Sequence, residues 1–336
     1  MIFFNKTDMM SNKEIRKLLR KVKVRLKDFL GNIVYTFLFL FYKKKERKTL
    51  YYSSICAIFK DEARFLKEWL EYHRLIGIEH FYLYNNFSTD DYKEILRPYV
   101  DNNIVTLIEW PVKYGQIPAY EDFRYKYKSE SRWVAFIDLD EFICPYEEKN
   151  IGDWLKKFER YPSIKIYWKM FGTNGIIEAD SNKCVIEQYT NSWKGLRNAG
   201  KIIWNTDFEP HEMYMEHLFC QYKILGKMFR LPSINESYHF ILFPNAEKTP
   251  QNNTIQLNHY WSKSILEYIK KTNRGDAYSE EMDVNRLDLE FFYQFENKNI
   301  SEDKKIYRFL AQLKIRLGMV KLEFSRKYKE DKNESV

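Results

Sequence analysis

The stretch RWVAFIDLDEF, residues 132–142, contains the pattern on which the fold prediction depends. Residues 133–137 form an apolar run typical of a buried strand, and three acids follow it: Asp138, Asp140 and Glu141. Carboxylates are rarely buried unless they are paired or bind a cation. Negative charge at the end of a core strand therefore indicates a functional site.

Upstream of this stretch, strand-like and helix-like segments alternate. Apolar runs predict strands at 53–59, 80–84 and 104–110. Helical spacing predicts short helices at 61–76, 90–100 and 120–128. Strands that alternate with helices of this length form βαβ units, so the sequence predicts an α/β fold with a mostly parallel central sheet.

The second half of the chain has a more mixed pattern. Strand-like runs lie near 163–170, 184–190 and 237–243. A helix is predicted over 262–271, with Ser262 or Lys263-Ser264 as its cap. The sheet is therefore expected to be mixed rather than wholly parallel.

Three polar stretches follow predicted strands of the first half. They are FKDEARF (59–65), YNNFSTDD (84–91) and DLDEF (138–142). Because open α/β sheets bind ligands at the carboxyl ends of their strands, these stretches are expected to share one edge and to form the site.

The D-x-D of Asp138 and Asp140 has a specific chemical meaning. In extended backbone, residues two apart point to the same side, so the two carboxylates would converge and repel each other without a cation. Mg²⁺ and Mn²⁺ take oxygen ligands and are often held by one or two carboxylates and substrate phosphates. Haloacid-dehalogenase-like phosphatases also carry D-x-D after a strand, but the mid-chain position and the following Glu-Phe disfavour them.

The net charge of +8 is unevenly distributed. Residues 1–50 have a net charge of +10 and residues 303–336 of +5, which leaves the centre at −7. An acidic centre argues against nucleic-acid binding, and basic ends favour an anionic membrane surface. We therefore expect a membrane-associated segment over 1–48, a catalytic domain over 49–300, and a basic helix and tail over 301–336.

The N-terminal segment contains an apolar run of about 14 residues, 29–42, which is short of the roughly 20 needed to cross a bilayer. A helix lying in the membrane interface is favoured, and a helix packed on the domain is the alternative. The four cysteines at 56, 144, 184 and 220 have neither metal-site nor disulfide spacing, so a cytosolic chain on the inner membrane face is expected.

Three blocks in order resemble one enzyme family. They are residues 56–91, residues 115–143 with the D-x-D-E-F, and residues 257–277 (LNHYWSKSILEYIKKTNRGDA). The chain resembles glycosyltransferases of the GT-A fold, a Rossmann-like nucleotide-diphospho-sugar transferase fold. It is most similar to the bacterial family-2-like enzymes and the related family 92, over about residues 53–277.

The resemblance implies a metal-dependent enzyme that moves a sugar from a nucleotide-diphosphate donor, expected to be a UDP-hexose, to a hydroxyl of a surface glycan or glycolipid. It implies Mn²⁺ or Mg²⁺ held by Asp138, Asp140 and His259, with Asp140 as the direct ligand and Asp138 one step back; His211 is the rival histidine. The implied donor-binding residues are Lys60, Glu62, Asn86, Asp90, Gln116, Asp138, Lys263 and Arg274.

An inverting transferase also needs a base for the acceptor proton. The candidates are Asp207, Glu212 and Glu141, with Glu209 and Glu216 also open. Two alternatives remain at this point: a metal-dependent phosphotransferase or nucleotidyltransferase that uses the same D-x-D, and an inactive sugar-binding relative.

Overall fold

A computed structural model describes residues 12–41, 47–214, 217–224, 226–244, 249–250, 252–274 and 289–320. Parts of the two basic ends, residues 1–11, 42–46 and 321–336, lie outside the described residues, as does the candidate base Glu216.

Helices and strands alternate through the first half of the chain, and the second half contributes mainly strands. The helices are α1 (Asn12–Leu40), α2 (Ala63–Leu75), α3 (Tyr92–Asp101), α4 (Gln116–Lys126), α5 (Ile151–Lys156), α6 (Val185–Gln188) and α7 (Ile265–Asn273), followed by Leu289–Glu296, a 3₁₀ turn at Lys305–Phe309 and Leu310–Arg316. The strands are β1 (Tyr51–Phe59), β2 (His80–Asn85), β3 (Val105–Glu109), β4 (Ser131–Phe136), β5 (Glu141–Pro145), β6 (Ser163–Met170), β7 (Asn191–Ser192), β8 (Gly200–Asn205), β9 (Glu209–Pro210), β10 (Phe219–Ile224), β11 (Lys227–Pro232), β12 (Ile255–His259) and β13 (Ser301–Glu302).

One eight-stranded sheet organises the molecule, in the order β3-β2-β1-β4-β8-β6-β12-β5. The pairs β1–β2, β2–β3, β1–β4 and β6–β12 are parallel. Strand β8 is antiparallel to both β4 and β6, and β5 is antiparallel to β12. The predicted α/β fold with a mixed, mostly parallel central sheet is confirmed.

Helix α2 fixes the position of strand β5. Its Trp69 indole donates to the carbonyl of Glu141 at 2.8 Å, and its Tyr72 hydroxyl donates to the carbonyl of Ile143 at 2.8 Å. The amide of Ile143 donates in turn to His73 Nε2 at 3.2 Å. All three side chains of this helix are fully buried. Since β5 begins at Glu141, these contacts also anchor the acidic stretch that precedes it.

Two of the strand predictions for the second half are wrong. Residues 185–188 are helical, and the amides of Val185 and Ile186 at the start of that helix donate to the Glu68 carboxylate. Around 237–243 there is no named strand, and only Phe240 makes an isolated bridge. Its ring packs instead on Tyr35 and Phe39 of α1 at 5.3 and 5.2 Å. The apolar character of both runs serves packing between elements rather than a sheet ladder.

The segment after residue 300 joins the main body. Strand β13 pairs with β7, and Ile306, Phe309 and Leu313 are buried in the same core as the central sheet. The polar face of Leu310–Arg316 provides Lys314, which contacts Glu187 at 2.6 Å. Up to residue 320, the predicted C-terminal helix is thus an integral part of the domain surface.

Candidate active site

The acidic stretch turns between two strands. The amide of Glu141 donates to the carbonyl of Asp138 at 3.0 Å, which closes a turn between β4 and β5. The backbone from Asp138 to Asp140 is therefore not extended. The prediction that the two carboxylates point to the same side assumed an extended backbone, and that assumption is wrong. The turn gives the two aspartates different surroundings: the side chain of Asp138 is partly exposed, and that of Asp140 is buried.

Asp140 lies between a cation and a histidine. Its Oδ2 is ion-paired with Lys271 Nζ, and its Oδ1 lies 3.6 Å from His259 Nε2. Burial by itself would raise the pKa of Asp140, but Lys271, His259 and Lys263 outweigh it and hold the pKa well below the usual range. Asp140 is consequently an ionised carboxylate inside the protein.

His259 reaches this carboxylate because strand β12 crosses the centre of the site. Within the sheet, His259 pairs with Glu141 of β5 on one side and with Met170 of β6 on the other. Its ring packs on Trp168 at 5.0 Å, and its buried Nδ1 has no hydrogen-bond partner in the described part of the chain. Burial lowers the pKa of His259 despite the opposing charge of Asp140. The imidazole is therefore neutral near pH 7, the form that ligates metals.

Asp138 and Glu141 share a lysine that the sequence had not suggested. Asp138 accepts from Gln116 Nε2 at 3.0 Å and from Lys201 Nζ at 2.8 Å, and Lys201 lies 3.8 Å from Glu141. Glu141 is fully buried and accepts from the Trp168 indole at 2.6 Å and from the Asp138 amide at 2.9 Å. Burial, aided by Asp138 and Asp140, raises the pKa of Glu141 well above its usual value. In the structure Glu141 is thus an enclosed carboxyl group that supports the turn, and its role as a base stays a prediction.

Four of the expected donor-binding residues lie together beside Asp140. Glu62 is buried and pairs with Lys263 at 3.3 Å and with Arg274. Lys60 Nζ donates to the Arg274 carbonyl at 2.7 Å. Burial opposes the charge of Glu62, but the two cations outweigh it, so its pKa is lowered. This group of four contains three cations and one anion, a balance that suits a diphosphate.

Asn86 and Asp90 lie at the same end of the sheet, but their side chains contact backbone. Asn86 donates to the carbonyls of Trp110 and Val112 at 2.8 and 2.9 Å. Asp90 accepts from the amide of Ala63 at 2.7 Å, in the first turn of α2. In the structure, both residues hold the loops that border the site.

Two candidate bases lie apart from this group. Asp207 is buried against Arg132, at the start of β4, with the two charged groups 2.9 Å apart. Six residues of near-extended chain, roughly 20 Å, separate Arg132 from Asp138. Glu212 is exposed on the loop after β9. Asp207 is thus held at the opposite end of β4 from Asp140, and the catalytic role of Glu212 stays a prediction.

The remaining described candidate base and the alternative metal-binding histidine have other partners. Glu209 pairs with Arg124 at 2.7 Å, and His211 contacts Gln221 at 2.7 Å on the surface. Neither lies in the group around Asp140.

Three residues of the site were missed from the sequence: Trp168, Lys201 and Lys271. Lys201 had a detectable signal, since a lysine inside the apolar strand GKIIWN must find a buried partner. Lys271 lies eight residues after Lys263, two helical turns along α7, and is one of several lysines there. Trp168 lies in a run of aromatic residues and had no distinguishing pattern.

A divalent cation fits the donor set only with help from a ligand. Among the described residues, no three His, Cys, Asp or Glu side chains converge as a metal-binding group. Asp140 and His259 offer one carboxylate oxygen and one neutral nitrogen at 3.6 Å from each other. Two protein ligands suit an ion whose remaining positions are filled by phosphate oxygens and water. Asp138 already accepts hydrogen bonds from Gln116 and Lys201, so we expect it to lie behind the two ligands rather than to bind the ion directly.

Comparison with known proteins agrees with the family seen in the sequence blocks. The family model for glycosyltransferase family 92 matches residues 51–218, half of the chain. The chain belongs to glycosyltransferase family 92.

Named relatives include plant and animal proteins. A family 92 protein of Oryza sativa subsp. japonica is 30% identical over 124 residues, 37% of this chain and 21% of the relative. One of Ricinus communis is 30% identical over 231 residues, 65% of this chain and 36% of the relative. A beta-1,4-galactosyltransferase of Caenorhabditis elegans is 26% identical over 186 residues, 46% of this chain and 44% of the relative. The chain thus spans less than half the length of each of these relatives.

Solved structures give weaker likenesses. Residues 1–349 of Staphylococcus aureus TarS share 12% identity at a TM-score of 0.35, over 80% of this chain and 79% of that one. A mannosyltransferase from Pyrobaculum calidifontis, in complex with GDP-Man and Mn²⁺, shares 14% identity at a TM-score of 0.28, over 44% of this chain and 46% of that one. Scores this low say nothing about function.

Proposed function

We propose that this protein is a metal-dependent glycosyltransferase that moves a hexose from a nucleotide-diphosphate donor to a hydroxyl of a surface glycan or glycolipid. The observation that supports this most directly is the arrangement around Asp140. An ionised carboxylate and a neutral histidine lie 3.6 Å apart, with Lys263, Lys271 and Arg274 nearby. Membership of family 92 supports the same class of reaction.

Asp140 and His259 would hold Mn²⁺ or Mg²⁺, with Asp138 behind them. When bound, such an ion neutralises the diphosphate leaving group as a Lewis acid. Lys263 and Arg274 are held close to Asp140 through their pairing with Glu62, so they can bind phosphate oxygens without a large rearrangement. Lys271 contacts the other carboxylate oxygen of Asp140 from the one near His259, and as a partly exposed cation it would bind a phosphate oxygen there.

The donor is proposed to be a UDP-hexose. The Caenorhabditis elegans relative is named a galactosyltransferase, which supports a hexose donor. Inversion at the anomeric carbon is part of the proposal, and the acceptor would then lose its proton to a base other than the enclosed Glu141.

We also propose that the protein works as a peripheral protein on the inner, anionic face of the cell membrane. The basic ends of the chain, with net charges of +10 and +5, support this location. A glycolipid or a membrane-linked glycan would be presented at such a surface.

The test is nucleotide binding with and without metal. UDP, GDP and their sugar conjugates are added to the full chain in the presence of Mn²⁺, of Mg²⁺ or of a chelator, and the Tm and Kd are measured. We expect UDP to stabilise the protein only with metal, by about 2.7 kcal/mol at a concentration 100 times Kd. His259→Ala should lose the metal requirement together with most of the affinity, while Glu212→Gln, on the exposed loop after β9, should bind as the wild type does. Absence of binding for every nucleotide would refute the proposal.

A further inference from the structure

Helix α1 has two opposite faces, and among the described residues only one of them contacts the domain. The contacting face runs along Val24, Asp28, Asn32, Tyr35 and Phe39, which are partly or fully buried. Their spacing of about four residues is that of one helical stripe. The helix is therefore fixed in its rotation about its own axis.

Specific contacts hold this inner stripe in place. Asn32 Nδ2 donates to the Phe240 carbonyl at 3.1 Å, and Asn32 Oδ1 accepts from the Phe240 amide at 2.6 Å. The Tyr35 hydroxyl donates to the Arg230 carbonyl at 2.8 Å. The sequence left two alternatives for this helix: packing on the domain or lying in a membrane interface. The two are not exclusive, because each describes a different face of the helix.

The opposite face forms a second apolar stripe, which we call the outer stripe. Its members, all between 42% and 66% exposed, are Ile15, Leu19, Val22, Leu26, Ile33, Phe37 and Leu40. At about 100° per residue they lie roughly half a turn from the inner stripe. Phe29 and Leu30 fill the interval between Leu26 and Ile33 and are also exposed. An apolar surface of this length on a surface helix marks an interaction site.

The charge of the helix distinguishes between possible partners. It carries eight lysines and arginines and two acids, a net charge of +6. Arg16, Lys23 and Arg25 lie three residues from outer-stripe positions and so border the stripe on the helix surface. A second copy of the same helix would bring these like charges together, which opposes a coiled coil. Anionic lipid headgroups would neutralise them.

The helix is suited to lie on a membrane rather than to cross one. Among the residues that the structure describes, no helix has both the length and the apolar character needed to span a bilayer. An amphipathic helix with basic residues beside its apolar face binds in the plane of the interface. We infer that the outer stripe of α1 inserts into the headgroup region of an anionic bilayer while the inner stripe carries the domain.

This attachment leaves the candidate site accessible. The Phe39 carbonyl accepts from Arg160 at 3.0 Å, just before β6 begins, whereas Met170 at the other end of β6 pairs with His259. The eight residues of β6 therefore separate the two regions, a distance of roughly 25 Å. The inference gives the proposed peripheral location a specific surface and does not depend on the proposed chemistry.

The test is partition of the full chain onto vesicles. We compare Leu26→Glu/Ile33→Glu, which changes the outer stripe, with Ile177→Glu/Ile300→Glu, which makes the same change at two exposed apolar positions elsewhere. Vesicles are pure phosphatidylcholine or contain about one third phosphatidylglycerol, whose headgroup charge attracts basic segments. Thermal unfolding and nucleotide affinity are measured in parallel, and an unchanged Tm shows that each variant is folded.

We expect the wild type and the Ile177/Ile300 variant to bind the anionic vesicles at least about tenfold better than the neutral ones, and to be released as salt rises from about 0.1 to about 1 M. The outer-stripe variant should lose about tenfold or more of this binding and keep its nucleotide affinity. Equal binding by both variants would overturn the inference. So would a wild type that ignores vesicles but forms a dimer, measured by sedimentation, that the outer-stripe substitutions abolish.

Discussion

A buried aspartate side chain lies near each end of strand β4, outside the strand itself. The two side chains have different surroundings. Near the start of the strand, Asp207 lies 2.9 Å from Arg132 and 3.7 Å from Arg47. Beyond the end of the strand, Asp140 is paired with Lys271 and lies beside His259. Both carboxylates are almost fully enclosed, so burial does not distinguish them.

Their partners do distinguish them. Arginine is always charged, and two arginines compensate Asp207 permanently. Asp140 shares its surroundings with a neutral imidazole whose Nδ1 has no hydrogen-bond partner among the described residues, and with the partly exposed Lys271. A buried acid compensated by arginine is a structural ion pair, whereas a buried acid beside a neutral histidine and several cations has the features of a ligand site.

The largest expected effect concerns the structural end of the strand. Asp207→Ala should lower the free energy of unfolding by about 3–5 kcal/mol, because it leaves Arg132 buried without its partner. Urea unfolding of the full chain measures this. Asp140→Ala should cost only about 1 kcal/mol or less, since the partly exposed Lys271 can turn towards solvent.

The double variant Arg132→Met/Asp207→Leu serves as the control for this prediction. Replacing both partners of a buried pair with apolar residues is often nearly neutral, so most of the lost stability should return. If the double variant is as unstable as Asp207→Ala, the ion pair is not what stabilises this end of β4.

The next effect concerns catalysis. Here the substitution of Asp140 should have the larger effect and the substitution of Asp207 the smaller one. Asp140→Asn keeps the shape of the side chain and removes its charge, so we expect sugar transfer to fall by about 10²- to 10³-fold, the usual cost of losing one preorganised electrostatic group. Asp207→Asn, assayed well below its Tm, should stay within about threefold of the wild type, because it lies far from the site. The measurement is kcat/KM for transfer or hydrolysis of the donor sugar. Equal losses in the two variants would contradict the distinction drawn here.

The smallest effect, within one pH unit below 6.5, concerns two buried histidines. Burial lowers the pKa of His73 to about 3, and its Nε2 accepts from the Ile143 amide, so protonation would remove that acceptor. From about pH 6.5, the ordinary pKa, down to about 3, the unfolded chain binds a proton that the folded chain does not. Stability should therefore fall with falling pH, by about 1.4 kcal/mol per pH unit for this one group.

His73→Gln tests this prediction, because it can keep the hydrogen bonds without titrating. In urea unfolding at several pH values, the free energy of unfolding should fall less steeply with falling pH for the variant. The difference in slope should correspond to about one bound proton. An unchanged slope would mean that His73 is not the group responsible. His259→Gln should have a smaller effect on the slope, since Asp140 partly offsets the burial that lowers the pKa of His259.

Local patterns in the sequence were sufficient for the first half of the fold and for the family. Strands β1, β2, β3 and β4 are continuous apolar runs separated by amphipathic helices, and each can be recognised within a few residues. The same edge of the sheet carries the acidic stretch, because parallel strands place their carboxyl ends together. Ser264, one of the predicted caps, does accept from the Glu267 amide at the start of α7.

The second half was less predictable because its strands pair over long distances. Strand β8 pairs with both β4 and β6, and β12 pairs with β6 and β5 from more than 80 residues away. Nothing local indicates that Lys201 would reach Asp138 or that Asp207 would find Arg132. The proposed catalytic assignments of Asp207 and Glu212 relied on residue type alone, and residue type does not specify location.

The sequence by itself determined the α/β class, the family and the acidic stretch at a strand end, and it predicted Asp140 and His259 as site residues. Only the tertiary structure decided which charges face each other: Lys271 with Asp140, Lys201 with Asp138, and Arg132 with Asp207. It also showed that one helix contacts the domain with one face and exposes an apolar stripe on the other. The physical reason is that apolar periodicity is a property of neighbouring residues, whereas charge pairing depends on which distant strands and helices the fold brings within a few ångströms.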